Sequence, residues 1–254
     1  MSSENQNGSL QTTFQNAVAT VQFGHPASNS FPRELLNRLT AEINSLSLNE
    51  NVSVIVLQSE GSKAFCSGAS FDELLQVENE EQGTEFFSGF AHLLNAMRNC
   101  SKIIIGRVQG KAVGGGVGII SACDYVLATP ESAVKLSELA IGIGPFVIEP
   151  AVSRKIGKTA MTEMTLSAQD WKSAKWAFEK GLYSALHNAE ELDTAVENFA
   201  QKLSSYNPEA LYEMKKIIWE GTDHWESLLI ERASITGKLV LSDFSRKALT
   251  QFKK

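Results

Sequence analysis

Cysteine is scarce: three of 254 residues, at positions 66, 100 and 123. An odd, widely spaced set offers neither the short-range pairs of a zinc site nor the density of a disulfide-stapled secreted domain. The expectation is three reduced thiols in a cytoplasmic protein. Histidine is equally thin, with His25, His92, His187 and His224 standing apart and no HExxH or Cys-x-x-Cys present, so no metal site is expected. No membrane span is expected either, because the longest uncharged apolar stretch, Ala112 to Cys123, stops well short of the ~18 to 20 residues a helix needs. Basic residues are outnumbered, with 23 Lys and Arg against 29 Asp and Glu for a net charge of −6. Without a basic stripe, a nucleic-acid partner is excluded as an expectation. Residues 1–13 are polar, with no apolar signal core and no Arg-rich transit pattern, and read as a flexible leader.

What is present is a chain long enough for one large domain, or one domain with an appendage. Val18 to Phe23 alternates like a strand, and a turn at His25 to Ser30 precedes an amphipathic helix from Pro32 to Ser45. Val52 to Leu57 and Ile103 to Val108 are nearly continuous β-branched runs, the pattern of strands buried on both faces. Shorter strands are expected at Tyr125 to Ala128 and Ala133 to Lys135. Strands alternating with helices point to an α/β layer architecture. From Pro145 the pattern turns helical: Phe146 to Ile156, Lys158 to Leu166, Asp170 to Lys180, Ala189 to Ser204, Pro208 to Trp219, and a last segment from Trp225. The expected division is a mixed domain over 14–187 and a helical region over 188–254.

Two segments invite chemistry. Gly114-Gly115-Gly116-Val117-Gly118 lies between a strand and a helix, and lacks the Gly-Lys-Ser/Thr ending of a P-loop. Taken alone it fits a tight turn, or a Rossmann-like dinucleotide loop. Its place far from the first strand, and Glu138 lying beyond two short strands, suit the dinucleotide reading poorly. Glycines opening a helix also leave backbone N–H groups unpaired, with the positive end of the helix dipole behind them, which can hold negative charge developing on an oxygen. Ala64 to Phe71, after the strand at Val52 to Leu57, offers a second turn of small residues that could supply a partner donor.

The ordered combination of Pro26-Ala-Ser-Asn29, Phe65-Cys-Ser-Gly-Ala69, Gly110-Lys-Ala-Val-Gly-Gly-Gly116, Cys123-Asp124, and Glu138 followed by Gly142-Ile-Gly-Pro145 resembles the enoyl-CoA hydratase/isomerase (crotonase) superfamily over nearly the whole chain after the leader. The resemblance implies a ClpP/crotonase-like spiral of ββα units with a C-terminal helical trimerisation region, a homotrimer or dimer of trimers. It implies an acyl-CoA substrate, with coenzyme A as part of that substrate and no tightly bound cofactor. By motif position, the backbone N–H groups of Ala69 and Gly115 would hold the thioester oxygen, and Glu138 would act as acid/base. Ser67, Gly68, Phe71, Gly114, Gly118 and Phe146 are the expected substrate-binding residues.

This chain departs from the family pattern in three places. Hydratases of the family usually carry a second glutamate where this chain has Gly118. A lone carboxylate can take a proton from one carbon and return it to another, so the departure tilts toward double-bond isomerisation, whereas the commonest activity of the family is hydration; the expectation is an enzyme of the hydratase/isomerase class with either outcome. A glycine-rich segment of the family is replaced by Phe146-Val-Ile-Glu149-Pro150, implying a bulkier wall and offering Glu149 as a candidate second acid, or as an acid that merely favours a helix N-terminus. Asp72 stands where some hydratases have a lysine near the CoA phosphates, leaving Lys63, Lys102 or Lys253 as candidates for that contact. A different class is also open: a crotonase-fold protein with weak catalysis that serves as an acyl-CoA binding or assembly subunit.

Overall fold

The computed structural model describes residues 7–252. In chain order the elements are β1 (Ser9–Gln15), β2 (Val18–Gly24), α1 (Arg33–Leu48), β3 (Val54–Ser59), β4 (Ala64–Cys66), α2 (Phe71–Leu74), α3 (Glu80–Asn99), β5 (Ile103–Val108), β6 (Lys111–Val113) and α4 (Gly115–Ala122). There follow β7 (Tyr125–Ala128), β8 (Ala133–Lys135), a 3₁₀ turn (Glu138–Ile141), α5 (Glu149–Leu166), β9 (Lys172–Ser173), α6 (Ala174–Glu179), β10 (Ala185–Leu186), α7 (Ala189–Ser204), α8 (Pro208–Ile218), α9 (Trp225–Leu239) and α10 (Asp243–Phe252).

Successive turns of the chain contribute one strand to each of two sheets and then a helix. The six-stranded sheet runs β1-β2-β3-β5-β7-β10 and the four-stranded sheet β4-β6-β8-β9. Pairs β3/β4, β5/β6 and β7/β8 are thus split between the sheets, which is the expected spiral of ββα units. The large sheet is parallel from β2 onward, and β4, β6 and β8 are parallel in the small one.

The large sheet's continuous apolar runs are explained by burial on both faces. Ile55, Leu57 and Ile104 enter the main core, while Val54, Val56, Ile103 and Ile105 pack on the opposite face against Leu192, Val196 and Ala200 of α7. Side chains alternate across a strand, so a strand feeding two cores shows no polar alternation. Residues 1–6 of the expected leader lie outside the described residues. Residues 9–13 are strand, paired antiparallel with β2 from Ser9↔Gly24 to Gln15↔Val18. The composition of β1 concealed it: an edge strand of Ser, Gln and Thr, largely exposed, needs little apolar alternation.

The helices after residue 188 pack on the body. Besides α7, helix α9 sends Trp225, Leu229 and Ala233 into the main core, and Trp219 meets Trp225 edge-on at 5.9 Å between ring centroids. The expected helix at Phe146 begins only at Glu149, and helices expected on either side of Gly157 form one element kinked there, where φ is +75°.

A buried ionic cluster fastens α8 to the sheet. Asp124 sits between α4 and β7; its Oδ2 accepts from the Ile104 N–H at 2.8 Å and from Lys215 Nζ at 3.0 Å, and its Oδ1 accepts from Trp219 Nε1 at 2.8 Å. Lys215 also donates to the Lys102 carbonyl at 2.7 Å. Both charged side chains are almost wholly buried, so removing one strands the other. Lys215→Met is therefore expected to cost about 3–5 kcal/mol in chemical denaturation; a loss below about 1 kcal/mol would show that backbone and indole donors suffice for Asp124.

Candidate active site

Three segments converge because β4, β6 and β8 run parallel in the small sheet. Cys66 of β4 is in register with Ala112 of β6, and Ala112 and Val113 with Val134 and Lys135 of β8. The residues following each strand, Ser67-Gly68-Ala69, Gly114-Gly115 and Ser137-Glu138, therefore emerge at one edge of the sheet and line one cavity of about 60 Å³. The Gly114 N–H donates to the Lys135 carbonyl at 2.9 Å, joining the second segment to the third.

The first two segments present backbone donors. Among the described residues, neither the Ala69 nor the Gly115 N–H is bonded to another protein group, while the neighbouring Phe31 N–H to Gly68 and Ser70 N–H to Phe31 bonds fix the first loop. Gly115 opens α4, so its N–H is one of the unpaired donors at the helix's positive end. Gly114 has φ +54° and lies so close to the third segment that a Cβ there would be 2.8 Å from Glu138 Oε1.

Glu138 is half-buried as a residue, but its carboxylate is enclosed: Oε2 is cut off from solvent and has no hydrogen-bond partner among the described residues. Burial drives its pKa up to about 7, against a smaller downward pull from its own backbone N–H. Apolar side chains create this environment, with Leu74, Phe87, Phe90, Ile141, Ile143 and Ile148 among the cavity walls. A carboxyl poised near neutrality beside two free N–H donors can exchange a proton with a bound carbon acid.

Cys66 lies just beneath the first loop and accepts from the Gly68 N–H at 3.2 Å, but burial pushes its thiol up to about 12, so it offers no thiolate nucleophile. All three cysteines are free and buried. Among the described residues, no group of three or more His, Cys, Asp or Glu side chains gathers as a metal site would, and no helix is long and apolar enough to cross a membrane.

The sequence model of the family described as enoyl-CoA hydratase/isomerase matches residues 13–253. The chain belongs to the enoyl-CoA hydratase/isomerase family. It is 25% identical to the short-chain-enoyl-CoA hydratase of Clostridium acetobutylicum over 238 residues, covering 92% of this chain and 90% of that one. It is 26% identical to the peroxisomal Δ(3,5)-Δ(2,4)-dienoyl-CoA isomerase of Arabidopsis thaliana over 192 residues, covering 69% and 67%. The crystal structure of an enoyl-CoA hydratase from Bacillus halodurans superposes with a TM-score of 0.87 at 21% identity, over 95% of this chain and 99% of that one, a likeness of fold.

Of the residues expected from the family pattern, Ser67, Gly68, Ala69, Phe71, Gly114, Gly115, Glu138 and Phe146 line the cavity. Gly118 and Glu149 do not. Gly118 is covered by Ile148: a Cβ there would lie 2.4 Å from Ile148 Cγ2, so the space a side chain at 118 would need is filled by hydrocarbon. Glu149 is turned away and pairs with Arg232 while accepting from the Ser153 hydroxyl. Burial pushes the Glu149 pKa up, but the bonds from Ser153 and Arg232 and the Arg232 charge outweigh it, and the carboxyl is held below its usual range. The structure therefore does not bring the candidate second acid to Glu138. Lys63 and Lys102 are not among the lining residues, and Lys253 lies outside the described residues.

Thr236, on α9, also lines the cavity. It is nearly a hundred residues beyond Glu138 in sequence, and its helix carries no motif that marks it. Ile148 was visible only as bulk in the run that replaces the glycines.

The raised Glu138 pKa also fixes a stability signature. Its folded value lies above the unfolded one, so ionising it opposes folding, and the stability its proton supplies is lost as pH rises through about 7. Glu138→Gln, which cannot ionise, is expected to melt higher than the native chain at pH 8, with the difference closing by pH 4. A pH-independent difference in scanning calorimetry would contradict an enclosed carboxylate.

Proposed function

We propose that this protein acts on an enoyl-CoA thioester by proton transfer through Glu138, and that its reaction is migration of the double bond rather than addition of water. The observation that carries the reading is the single carboxylate: Ile148 covers Gly118, and Glu149 is tied to Arg232. Hydration needs water to be held and activated, whereas isomerisation needs one group that removes a proton and returns it elsewhere.

On this reading the Ala69 and Gly115 N–H groups hold the thioester oxygen. The Glu138 carboxylate takes a proton from the carbon activated by the thioester, the electron pair delocalises into an enolate with its charge on that oxygen, and the Glu138 carboxyl gives the proton back to a different carbon. Atoms and charge balance with no co-reactant. A preorganised donor of this kind contributes ~3 kcal/mol where single ones have been removed from oxyanion holes. Coenzyme A enters as part of the substrate, and no tightly bound cofactor is required. Assembly as a homotrimer or dimer of trimers through the region after residue 188 belongs to the same proposal, as does a cytoplasmic location.

Offering a 3-enoyl-CoA and a 2-enoyl-CoA to the pure protein separates the outcomes. The expected result is conversion of the 3-enoyl to the conjugated 2-enoyl thioester, with hydration of the 2-enoyl substrate far slower. Glu138→Gln is expected to lower turnover about 10²–10⁴-fold while still binding acyl-CoA. Faster hydration than isomerisation would reverse the assignment, and unchanged turnover in the variant would remove Glu138 from the chemistry. Tight acyl-CoA binding with no turnover of either substrate would favour the binding-subunit alternative.

The base must be ionised in the free enzyme, so kcat/KM is expected to rise about tenfold per pH unit below a pKa of about 7 and to level off above it. A profile already flat from pH 5 upward would mean that the functional base is an ordinary solvated carboxylate.

A further inference from the structure

The cavity at Glu138 is small. Its volume is about 60 Å³. Directly beside it lies a second, larger cavity of about 250 Å³, whose walls include Leu139, Met161, Thr162, Thr165 and Leu166. The two share Gly144, Pro145 and Phe146 and no other lining residues. Those three residues are the partition between them.

Phe146 forms the bulk of that partition. Its ring lies against the Gly144 backbone so closely that a Cβ at 144 would be 2.4 Å from the ring's Cζ. Its carbonyl accepts from Arg232 Nη1 at 3.3 Å, which anchors the backbone from which the ring projects. Beyond the ring the surface of the second cavity is mostly apolar, with Leu139 and Leu166 exposed along it, though Glu149, Ser153 and Lys158 also line it.

We propose that Phe146 sets the acyl-chain length: the native protein takes short acyl thioesters whose tails end against this ring, and the apolar space beyond it can receive a longer tail once the ring is removed. The proposal rests on the reading of the Glu138 cavity as the acyl site. Burying a methylene is worth about fourfold in affinity, so each carbon that passes the partition has a measurable effect.

Saturated acyl-CoAs bind without reacting, and the ratio of two affinities on one protein sample is insensitive to partial loss of folded material. Butanoyl-CoA and decanoyl-CoA are therefore compared by calorimetry on the native chain, Phe146→Ala, Phe146→Leu and the double variant Phe146→Ala/Thr162→Trp. Thr162 is exposed on α5, so an indole there fills the second cavity without entering the core. The native chain is expected to bind the decanoyl ester no more tightly than the butanoyl ester. Phe146→Ala is expected to shift the ratio at least tenfold toward decanoyl, with Phe146→Leu intermediate and Thr162→Trp cancelling the gain. Binding with a ratio unmoved by Phe146→Ala, or a gain that survives Thr162→Trp, overturns the length assignment alone. Failure of the native chain to bind either ester overturns the acyl-site reading with it.

Discussion

The arrangement depends on one carboxylate held in an apolar enclosure. Glu138 Oε2 has lost water and gained no donor among the described residues, a condition that opposes folding and persists only where the surrounding structure enforces it. The enforcement is visible in the chain path. A 3₁₀ turn starts at Glu138, Gly114 approaches its carboxylate, and α3, α9 and the 141–148 segment close around it. The desolvation that opposes folding also brings the proton affinity of a carboxyl to a level useful near neutral pH. A second carboxylate in the same enclosure would add like-charge repulsion, and Ile148 over Gly118 fills the space with hydrocarbon instead.

The framework was largely legible in the sequence because its signals are local or ordered. The β-branched runs of β3 and β5 announced two-sided burial, and the helical pattern of α7 gave its bounds. The loops that line the cavity follow β4, β6 and β8 at equivalent places in successive turns of the spiral, so a list of motifs in order was already a list of neighbours in space. What escaped was set by partners remote in sequence. The edge strand β1 is defined by β2, not by its own polar residues. The orientation of Glu149 is decided by Arg232, eighty-three positions on, and the contact of Ile148 with Gly118 spans thirty. Thr236 reaches the cavity only because α9 packs on α3.

Electrostatics explain why the cavity is so plain. Its lining includes no lysine or arginine. A cation among these walls would stabilise ionised Glu138, lower its pKa and weaken it as a base. Any charges that attract a phosphate-bearing substrate to a chain of net charge −6 must therefore act from outside this enclosure. Backbone donors at Ala69 and Gly115 suit the interior better, since they stabilise charge on a nearby oxygen without bringing a full positive charge near the acid.

Arg232 ties the cavity wall to a carboxylate outside the enclosure. It lies one turn before Thr236 on α9, whose hydroxyl donates to the Arg232 carbonyl at 3.2 Å, so this helix contributes both a cavity residue and a guanidinium close behind it. Glu149 pairs with that guanidinium, neutralising it and fixing its direction. The fixed guanidinium in turn donates to the Phe146 carbonyl, holding the backbone of the residue that divides the two cavities. An acid that the sequence offered as a partner for Glu138 thus bears on the site through Arg232, by steadying the wall that divides the two cavities.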